Sequence, residues 1–295
     1  EKGSVEEIDN PLYERIESYA HTNKIVSYGI GVSLLTGSST NSIVFEHPGY
    51  LHIKGGAVGN IGSKDYAPIR VESDEKNKKG KILGHVNAPN SPLSLSNGTV
   101  LGNPKKRIGV NIDSLLNSGH IQNTDLFLDT FTHTASGTMA HSNITATEMV
   151  SLKAPASGKH LSAHSIHAEH KNLQFHTVAA DLLELSNLGV LQSDNITGYR
   201  MELDFGSSVY AKEIHIDKII IANPLPNHDN TIEIDKYTNF EDFEDNELEV
   251  IADALKVEKI YKSREDISRP FELQNFLKYR KIGIYDESGK IDRER

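Results

Sequence analysis

One short apolar pattern recurs along the middle of the chain and restricts the folds available to it. An isoleucine or valine is followed five and seven residues later by two more apolar residues. The sets are Ile121/Leu126/Leu128, Val178/Leu183/Leu185, Ile196/Met201/Leu203 and Ile214/Ile219/Ile221, with stretched versions at Ile144/Val150/Leu152 and Ile166/Leu173/Phe175. Because the last two members alternate with period 2, each set predicts a short strand whose apolar side chains share one face.

Similar apolar pairs occur upstream, at Leu51/Ile53, Ile69/Val71, Leu93/Leu95 and Val110/Ile112. Nine intervals separate the pairs from Leu51 to Ile219, a span of 168 residues, so the mean spacing is just under 19. Short strands at this spacing predict an all-β fold, a parallel solenoid in which coils of about 20 residues stack on one another. The structural alternative is a β-sandwich, whose strands recur every 8 to 12 residues or so.

A solenoid exposes a sheet edge at each end, and we predict a small helical cap over both edges. At the N-terminus, Asn10 suits an N-cap and Pro11 the first helical position, with Leu12, Ile16 and Tyr19 on one side of the helix. At the C-terminus, helical spacing is found at Leu248, Ile251, Ala252 and Leu255. A second helix is predicted to start at Ser268 and Pro270, and a closing hairpin is predicted around Ser288-Gly289.

Charge and pattern together divide the chain into three predicted domains. These are an N-terminal cap of a helix plus strands (1–44), the parallel solenoid (45–237), and a charged, partly helical C-terminal cap (238–295). The last domain holds 15 acidic and 11 basic residues, whereas the solenoid is rich in Ser, Thr, Asn and His.

Composition excludes some functional classes and argues against others. The formal net charge of −10 argues against a nucleic-acid partner. The absence of cysteine excludes disulfide scaffolds, thiolate zinc sites and cysteine nucleophiles. No tryptophan and only 7% aromatic residues are few for a sugar-stacking lectin. No apolar stretch approaches transmembrane length, and no cofactor is predicted. Because the chain begins at Glu1 and not at methionine, it is expected to be processed or trimmed.

The middle of the chain resembles secreted bacterial surface proteins. The segments "ITATEMVSLKA" (144–154) and "VAADLLELSNLGVLQSDNI" (178–196) are similar to repeats of filamentous-haemagglutinin-type proteins, and "GAVGNIGSKDYAPIRVE" (56–72) is similar to coils of autotransporter passengers. The resemblance implies a right-handed parallel β-helix, export across a membrane, and adhesive or structural work. The charged C-terminal region departs from a pure passenger, so a phage tail or filament subunit stays open.

A catalytic motif is matched only at its start. The trio Asn123-Thr124-Asp125 begins an acid-catalytic motif of β-helical pectin hydrolases, but Leu126 stands at the expected glycine and the later parts of the motif are missing. The trio is therefore predicted to form a turn before the Leu126/Leu128 strand, and no catalytic residue is assigned. A β-helical polysaccharide hydrolase or lyase of tailspike type is the alternative function.

Five histidines fall within seventeen residues, at His160, His164, His167, His170 and His176. Alternation with inward apolar neighbours sends His160, His167 and His176 outward. We predict a polar patch and assign no metal ligand; convergence of His164, His167 and His170 on a metal at a tight turn is the alternative.

The repeat adds two expectations about this patch. It places His167 in one outward column with Gln122, Thr145, Thr197 and His215. Imidazoles held close together repel once charged, so their titration is expected to be depressed and broadened, which makes the surface pH-dependent.

The sequence thus predicts a non-enzymatic, exported surface protein, adhesive or fibre-forming, located outside the cell or at the cell surface. Its expected partners are further copies of itself or a host or cell-surface receptor, with glycans among the ligands and nucleic acid excluded.

Overall fold

The structure is a computed structural model and describes residues 4–10, 15–18, 21–28, 30–204, 206–222, 231–237, 261–262, 284–285 and 291–292. Every regular element within these ranges is a β-strand, which confirms the predicted all-β class. The chain forms two compact units, Glu1–Val150 and Ser151–Arg295, called here the first and the second unit.

Most strands of the first unit are short, from two to seven residues. They are β1 (Ser4–Asn10), β2 (Arg15–Ser18), β3 (His21–Ser27), β4 (Gly31–Leu34), β5 (Ser39–Phe45), β6 (Leu51–Lys54), β7 (Ala57–Ser63), β8 (Ile69–Glu72), β9 (Lys81–Ile82), β10 (Val86–Ala88), β11 (Leu93–Leu95), β12 (Val100–Gly102), β13 (Ile108–Ile112), β14 (Ser114–Asn117), β15 (His120–Gln122), β16 (Thr124–His133), β17 (Thr138–Ala140) and β18 (Asn143–Leu152).

These strands pair in parallel and form three ladders. One ladder runs through β1, β3, β5, β7, β10, β13 and the start of β16, and a second through β2, β4, β6, β8, β11, β14 and the end of β16. The third runs through β7, β9, β12, β15 and β17. Each strand pairs with the equivalent strand of the next coil. This is the predicted parallel solenoid, and it excludes the β-sandwich alternative.

The apolar pairs form the core of the first unit. Leu51 pairs with Ile69 and Ile69 with Leu93, so three of the predicted pairs are consecutive rungs of the second ladder, and their members are buried. The fourth pair is also a buried strand, but it lies on the first ladder, where Val110 pairs with Val86. Apolar spacing along the sequence does not tell which face of a coil a strand occupies.

One inward column changes from apolar to polar. Along the second ladder the buried positions Val71 and Leu95 are followed by Asn117 and then His133, both also buried. The Asn117 amide Nδ2 donates to His133 Nδ1 at 2.8 Å, and the imidazole stacks on Phe131 with 5.8 Å between ring centroids. The pair meets the usual condition for burying polar groups, that they bind each other.

The second unit has longer strands. They are β19 (Ala156–Ala168), β20 (Leu173–Leu185), β21 (Val190–Asp204), β22 (Ser208–Ala222), β23 (Thr231–Tyr237), β24 (Tyr261–Lys262), β25 (Ile284–Tyr285) and β26 (Ile291–Asp292). Strands β19 to β24 pair in parallel, in chain order. A single strand of 13 to 15 residues spans most of each coil, and in β19 and β20 two successive exposed side chains, such as Lys159 and His160, interrupt the alternation of buried and exposed residues.

The predicted repeat register is confirmed in three coils of this unit. Val178, Ile196 and Ile214 pair with one another in turn, and the second and third members of each set do the same. The stretched set Ile166/Leu173/Phe175 was wrong, because Ile166 pairs with Leu183. The corresponding first member is Leu161, which pairs with Val178 and is buried.

The predicted N-terminal helix was also wrong over the residues that the structure describes. Asn10 ends strand β1, and Ile16 lies in β2, where it pairs with Val32 of the next coil. Pairing with a neighbouring coil overrides the local helical pattern, because helix propensity is a weak preference. Leu12 and Tyr19 lie outside the described residues.

At the other end, the predicted helix positions (248–255 and 268–277) lie outside the described residues. The predicted hairpin is supported, since Ile284–Tyr285 pairs antiparallel with Ile291–Asp292 around residues 286–290. The three domain boundaries remain a prediction. The first ladder passes residue 44 without interruption, as Val44 pairs with Gly62.

Candidate functional surface

The histidine-rich segment lies at the start of the second unit. Strand β19 carries His160, His164 and His167, the turn after it carries His170, and β20 carries His176. The side chains of His164 and His176 are 68% and 66% exposed, and that of His167 is 38% exposed. The outward direction predicted for His160, His167 and His176 is confirmed.

Three of these imidazoles each face a carboxylate on the next coil. Nδ1 of His164 lies 2.7 Å from Oδ2 of Asp181, and Nδ1 of His176 lies 2.6 Å from Oδ2 of Asp194. His167 pairs with Glu184 in the same way. In a parallel stack with this register, residues 17 or 18 positions apart are neighbours, and the separations of these pairs are 17 and 18.

The remaining two histidines have hydroxyl and backbone partners. Nδ1 of His160 lies 2.6 Å from Oγ1 of Thr177 on the next coil. Nδ1 of His170 accepts a hydrogen bond from the backbone N–H of Asn172 at 3.1 Å. Burial, and secondarily the charge of Lys171, lowers the pKa of His170. Both effects favour the neutral imidazole at that position.

Asp194 joins three coils. Its Oδ1 lies 2.6 Å from Nζ of Lys212 on the following coil, while its Oδ2 faces His176 on the preceding one. The hydrogen bond from Lys212, and then that from His176, holds the pKa of Asp194 below its usual value. The carboxylate therefore stays ionised in mildly acid solution and links the charges of its neighbours.

The predicted outward column was wrong in its register. His167 pairs with Glu184, whereas the row that contains Thr197 and His215 continues through Ala179 to Ser162. His160, His164, His167 and His176 each contact an acid or a hydroxyl on the next coil, whereas His170 accepts from the backbone of Asn172. The lowered pKa of His170 arises from burial and from Lys171, so imidazole repulsion is not its cause.

The carboxylate partners were missed from the sequence. The signal was present, because an acidic residue follows His164, His167 and His176 by one coil length. Recognising these pairs requires the correct register between β19 and β20, which the incorrect set Ile166/Leu173/Phe175 obscured.

Metal and catalytic chemistry find little geometric support among the described residues. No group of three or more His, Asp or Glu side chains in the described ranges is arranged to hold a metal ion. In particular, His164 and His167 are each occupied by a different carboxylate.

Of the Asn123-Thr124-Asp125 trio, only Asn123 lies between strands, whereas Thr124 and Asp125 begin β16, so the predicted turn is limited to Asn123. Asn123 adopts φ 49°, and Thr124 is buried with its hydroxyl donating to the Gln122 carbonyl at 2.9 Å. Oδ1 of Asp125 lies 2.6 Å from Nη1 of Arg107 and accepts a hydrogen bond from Asn143 Nδ2 at 2.7 Å. These contacts connect the Asp125 carboxylate to side chains of the preceding and the following coil.

A second charged cluster lies on the first unit and is centred on Glu72. Its Oε2 lies 2.8 Å from Nε2 of His52, and its Oε1 accepts from Nε of Arg70 at 2.6 Å. Burial acts to raise the pKa of Glu72, but the hydrogen bonds from His52 and Arg70 outweigh it and the net pKa is lowered. Here too, an acid of one coil binds a base of its neighbour.

Comparison of the chain with protein-family models, with curated proteins and with solved structures finds no match. Within the described residues there is no helix with the length and apolarity needed to cross a membrane.

Proposed function

We propose that this protein is an exported, non-enzymatic surface protein that presents a rigid β-solenoid for adhesion or fibre formation. The observation that carries the proposal is the side-chain pairing between coils of the second unit, where each of three outward histidines contacts an acid that follows it by one coil length. Such pairing fixes outward side chains in rows, and rows of fixed polar groups suit a display surface.

The resemblance of residues 144–154 and 178–196 to filamentous-haemagglutinin-type repeats points the same way. It favours export, a location at the cell surface, and a partner that is either a receptor on another cell or a further copy of this chain. The contacts of Asp125 with Arg107 and Asn143 weigh against the alternative of a tailspike-type polysaccharide hydrolase.

The test compares retention with turnover on the same polysaccharides and cell surfaces. We expect beads coated with the protein to be retained, and no release of reducing ends (hydrolase products) or of unsaturated sugars (lyase products). Turnover that Asp125→Asn abolishes and Asp129→Asn leaves intact would replace the proposal with the hydrolase alternative. Asp129 is a matched control because its carboxylate binds only a neighbouring hydroxyl in the described contacts, that of Thr147 at 2.5 Å.

Electron microscopy of the same preparation separates the two forms of the proposal. Filaments would favour fibre formation, and single particles that still adhere would favour adhesion.

A further inference from the structure

One ionisable side chain lies in the interior of the first unit. His133 is 0% exposed, and it is the only ionisable side chain among the buried polar residues of the described ranges. It ends β16, at the corner where the chain passes from the second ladder to the third. Burial disfavours the charged form of such a group, so its protonation state matters for the fold.

Two hydrogen bonds in series fix that protonation state. The backbone N–H of Gly119 donates to Asn117 Oδ1 at 2.9 Å, which identifies this atom as the amide oxygen and leaves Nδ2 to face the imidazole. Nδ2 in turn donates to His133 Nδ1 at 2.8 Å. Because a nitrogen that accepts carries no proton, His133 is held neutral with its proton on Nε2.

The corner leaves no room for the charged form to rearrange. A Cβ on Gly137 would come within 2.6 Å of Cε1 and 2.7 Å of Nδ1 of His133, so backbone covers the ring at the nitrogen in question. A proton on Nδ1 would point at the Nδ2–H of Asn117. Rotation of the Asn117 amide by half a turn would offer its oxygen to the imidazolium but would set Nδ2 against the Gly119 N–H. Either arrangement loses a buried hydrogen bond.

The other titratable groups near this corner lie outside the core. The strands packed around it are β14, β15, β16, β17 and β18. Their titratable side chains besides His133 are His120, Asp125, Asp129 and Glu148. None of these four is buried, and the carboxylates of Asp125 and Asp129 bind Arg107 and Thr147. Solvent screens the effect of such outward charges on an inward ring. Of the described contacts of His133, the one with Asn117 therefore responds most directly to a proton on Nδ1.

We propose that Asn117 and His133 form an acid-sensitive latch, which closes this corner at neutral pH and loosens it in mildly acid solution. The unfolded chain takes up a proton on a histidine below about pH 6.5, whereas the latched His133 resists protonation. The stability that the latch contributes is therefore complete above about pH 6.5 and is lost as the pH falls below it. This inference goes beyond the proposed display function and stands without it.

The direct test compares the pH dependence of unfolding in three chains. Urea denaturation at about pH 7 and about pH 5 gives the unfolding constant of each. On this acidification we expect the constant of the wild-type chain to rise about 20-fold more than that of His133→Gln, because only the unfolded wild-type chain gains the proton at position 133. The histidines on the surface are present in both chains, so their contributions cancel.

Asn117→Asp should reverse the direction of the effect. Its carboxylate keeps an acceptor for the Gly119 N–H and places a second oxygen, in place of Nδ2, where a protonated His133 can donate to it. Relative to His133→Gln, this variant should gain stability as the pH falls from about 7 to about 5. A structural role without titration would not change sign in this way.

Nitrogen NMR of wild-type protein with isotope-labelled histidine side chains needs no variant at position 117. The His133 signal, identified by its absence in His133→Gln, should stay that of a neutral ring at about pH 5, where free histidine is charged. His120→Gln is the matched control for the denaturation series, because His120 lies on the adjacent strand β15 and is not buried. It should change the acid response less than about threefold.

Three results would overturn the latch. These are an equal acid response in wild type and His133→Gln, a response in Asn117→Asp that follows the wild type, and a His133 ring that becomes charged near pH 6.5 in the folded chain. A loss of acid response in His120→Gln as large as that in His133→Gln would also overturn it, because the effect would then not depend on burial.

Discussion

In the second unit a coil is formed by one strand that bends, whereas in the first unit a coil is divided by turns into two or three short strands. The spacing between paired residues reflects this difference. It is 17 or 18 residues among β19 to β22, as in Leu161 with Val178 and Val178 with Ile196. In the first unit it ranges from 16 for Ile108 with Thr124 to 25 for Ile61 with Val86.

The difference shows what fixes the register in each unit. Where the coil length is constant, residues at equal intervals along the sequence are neighbours on successive coils. His176, Asp194 and Lys212 therefore lie in one row. Where loops vary in length, specific turn residues must return the chain to the ladder. The two units therefore differ in the substitutions to which they are most sensitive.

The largest effect is expected in the core of the second unit. Leu203 is fully buried and pairs with Leu185 on one side and Ile221 on the other. Leu203→Asp would bury an unpaired charge, at a cost of about 5 kcal/mol or more, and the loss should spread because each coil supports the next. The outward Thr197→Asp is the control. Circular dichroism should show loss of β signal at a lower temperature for Leu203→Asp alone, and equal melting of both variants would disprove the register of β21.

The second effect concerns two glycines of the first unit, Gly37 in a turn and Gly102 at the end of β12. Gly102 has φ +117°, and a Cβ there would come within 1.9 Å of the Gln122 carbonyl oxygen, whereas Gly37 has φ +83° and open space around it. Gly37→Ala should cost about 1 kcal/mol from backbone strain alone, and Gly102→Ala about 3 kcal/mol, because the steric clash is added. Urea denaturation measures both free energies. Equal costs would contradict the close approach of Gly102 to the Gln122 carbonyl, and with it the pairing of β12 with β15.

The sequence was sufficient for the fold class and for much of the core. Period-2 pairs identify the strands, and Val178, Ile196 and Ile214 align because their coils have one length. The set Ile166/Leu173/Phe175 failed because Ile166 and Leu173 belong to two different coils, and the N-terminal helix pattern gave way to pairing of β2 with β4.

The candidate surfaces were predicted less completely. Outward directions of His160, His167 and His176 follow from alternation, but their partners depend on the adjacent coil. Contacts between coils are long-range in sequence, and composition does not encode them.

The smallest effect is on acid stability, and one carboxylate in each unit tests it. The folded pKa values of Glu72 and Asp194 are lowered from 4.5 and 3.8. Each contributes stability that is present above those values and is lost as the pH falls below them, through the folded pKa. The stability advantage of the wild-type chain should therefore shrink as the pH falls below 4.5 for Glu72→Gln and below 3.8 for Asp194→Asn. Denaturation at each pH measures it, and an advantage that grows on acidification would contradict the assignment.

The description of the second unit's surface depends on the register between its strands, and disulfide formation measures that register directly. Ser162 and Ala179 are paired on neighbouring strands, and the chain has no cysteine of its own. Paired strands are about 4.8 Å apart, within the Cα range that a disulfide spans, while a shift of two residues exceeds it.

We predict that the double variant Ser162→Cys with Ala179→Cys forms an intramolecular disulfide under mild oxidation, and that Ser162→Cys with Thr177→Cys does not. Mass spectrometry of the digested protein identifies the bond. Preferential bonding in the Thr177 variant, or equal bonding in both, would contradict the coil register and with it the pairing of the histidines with their acids.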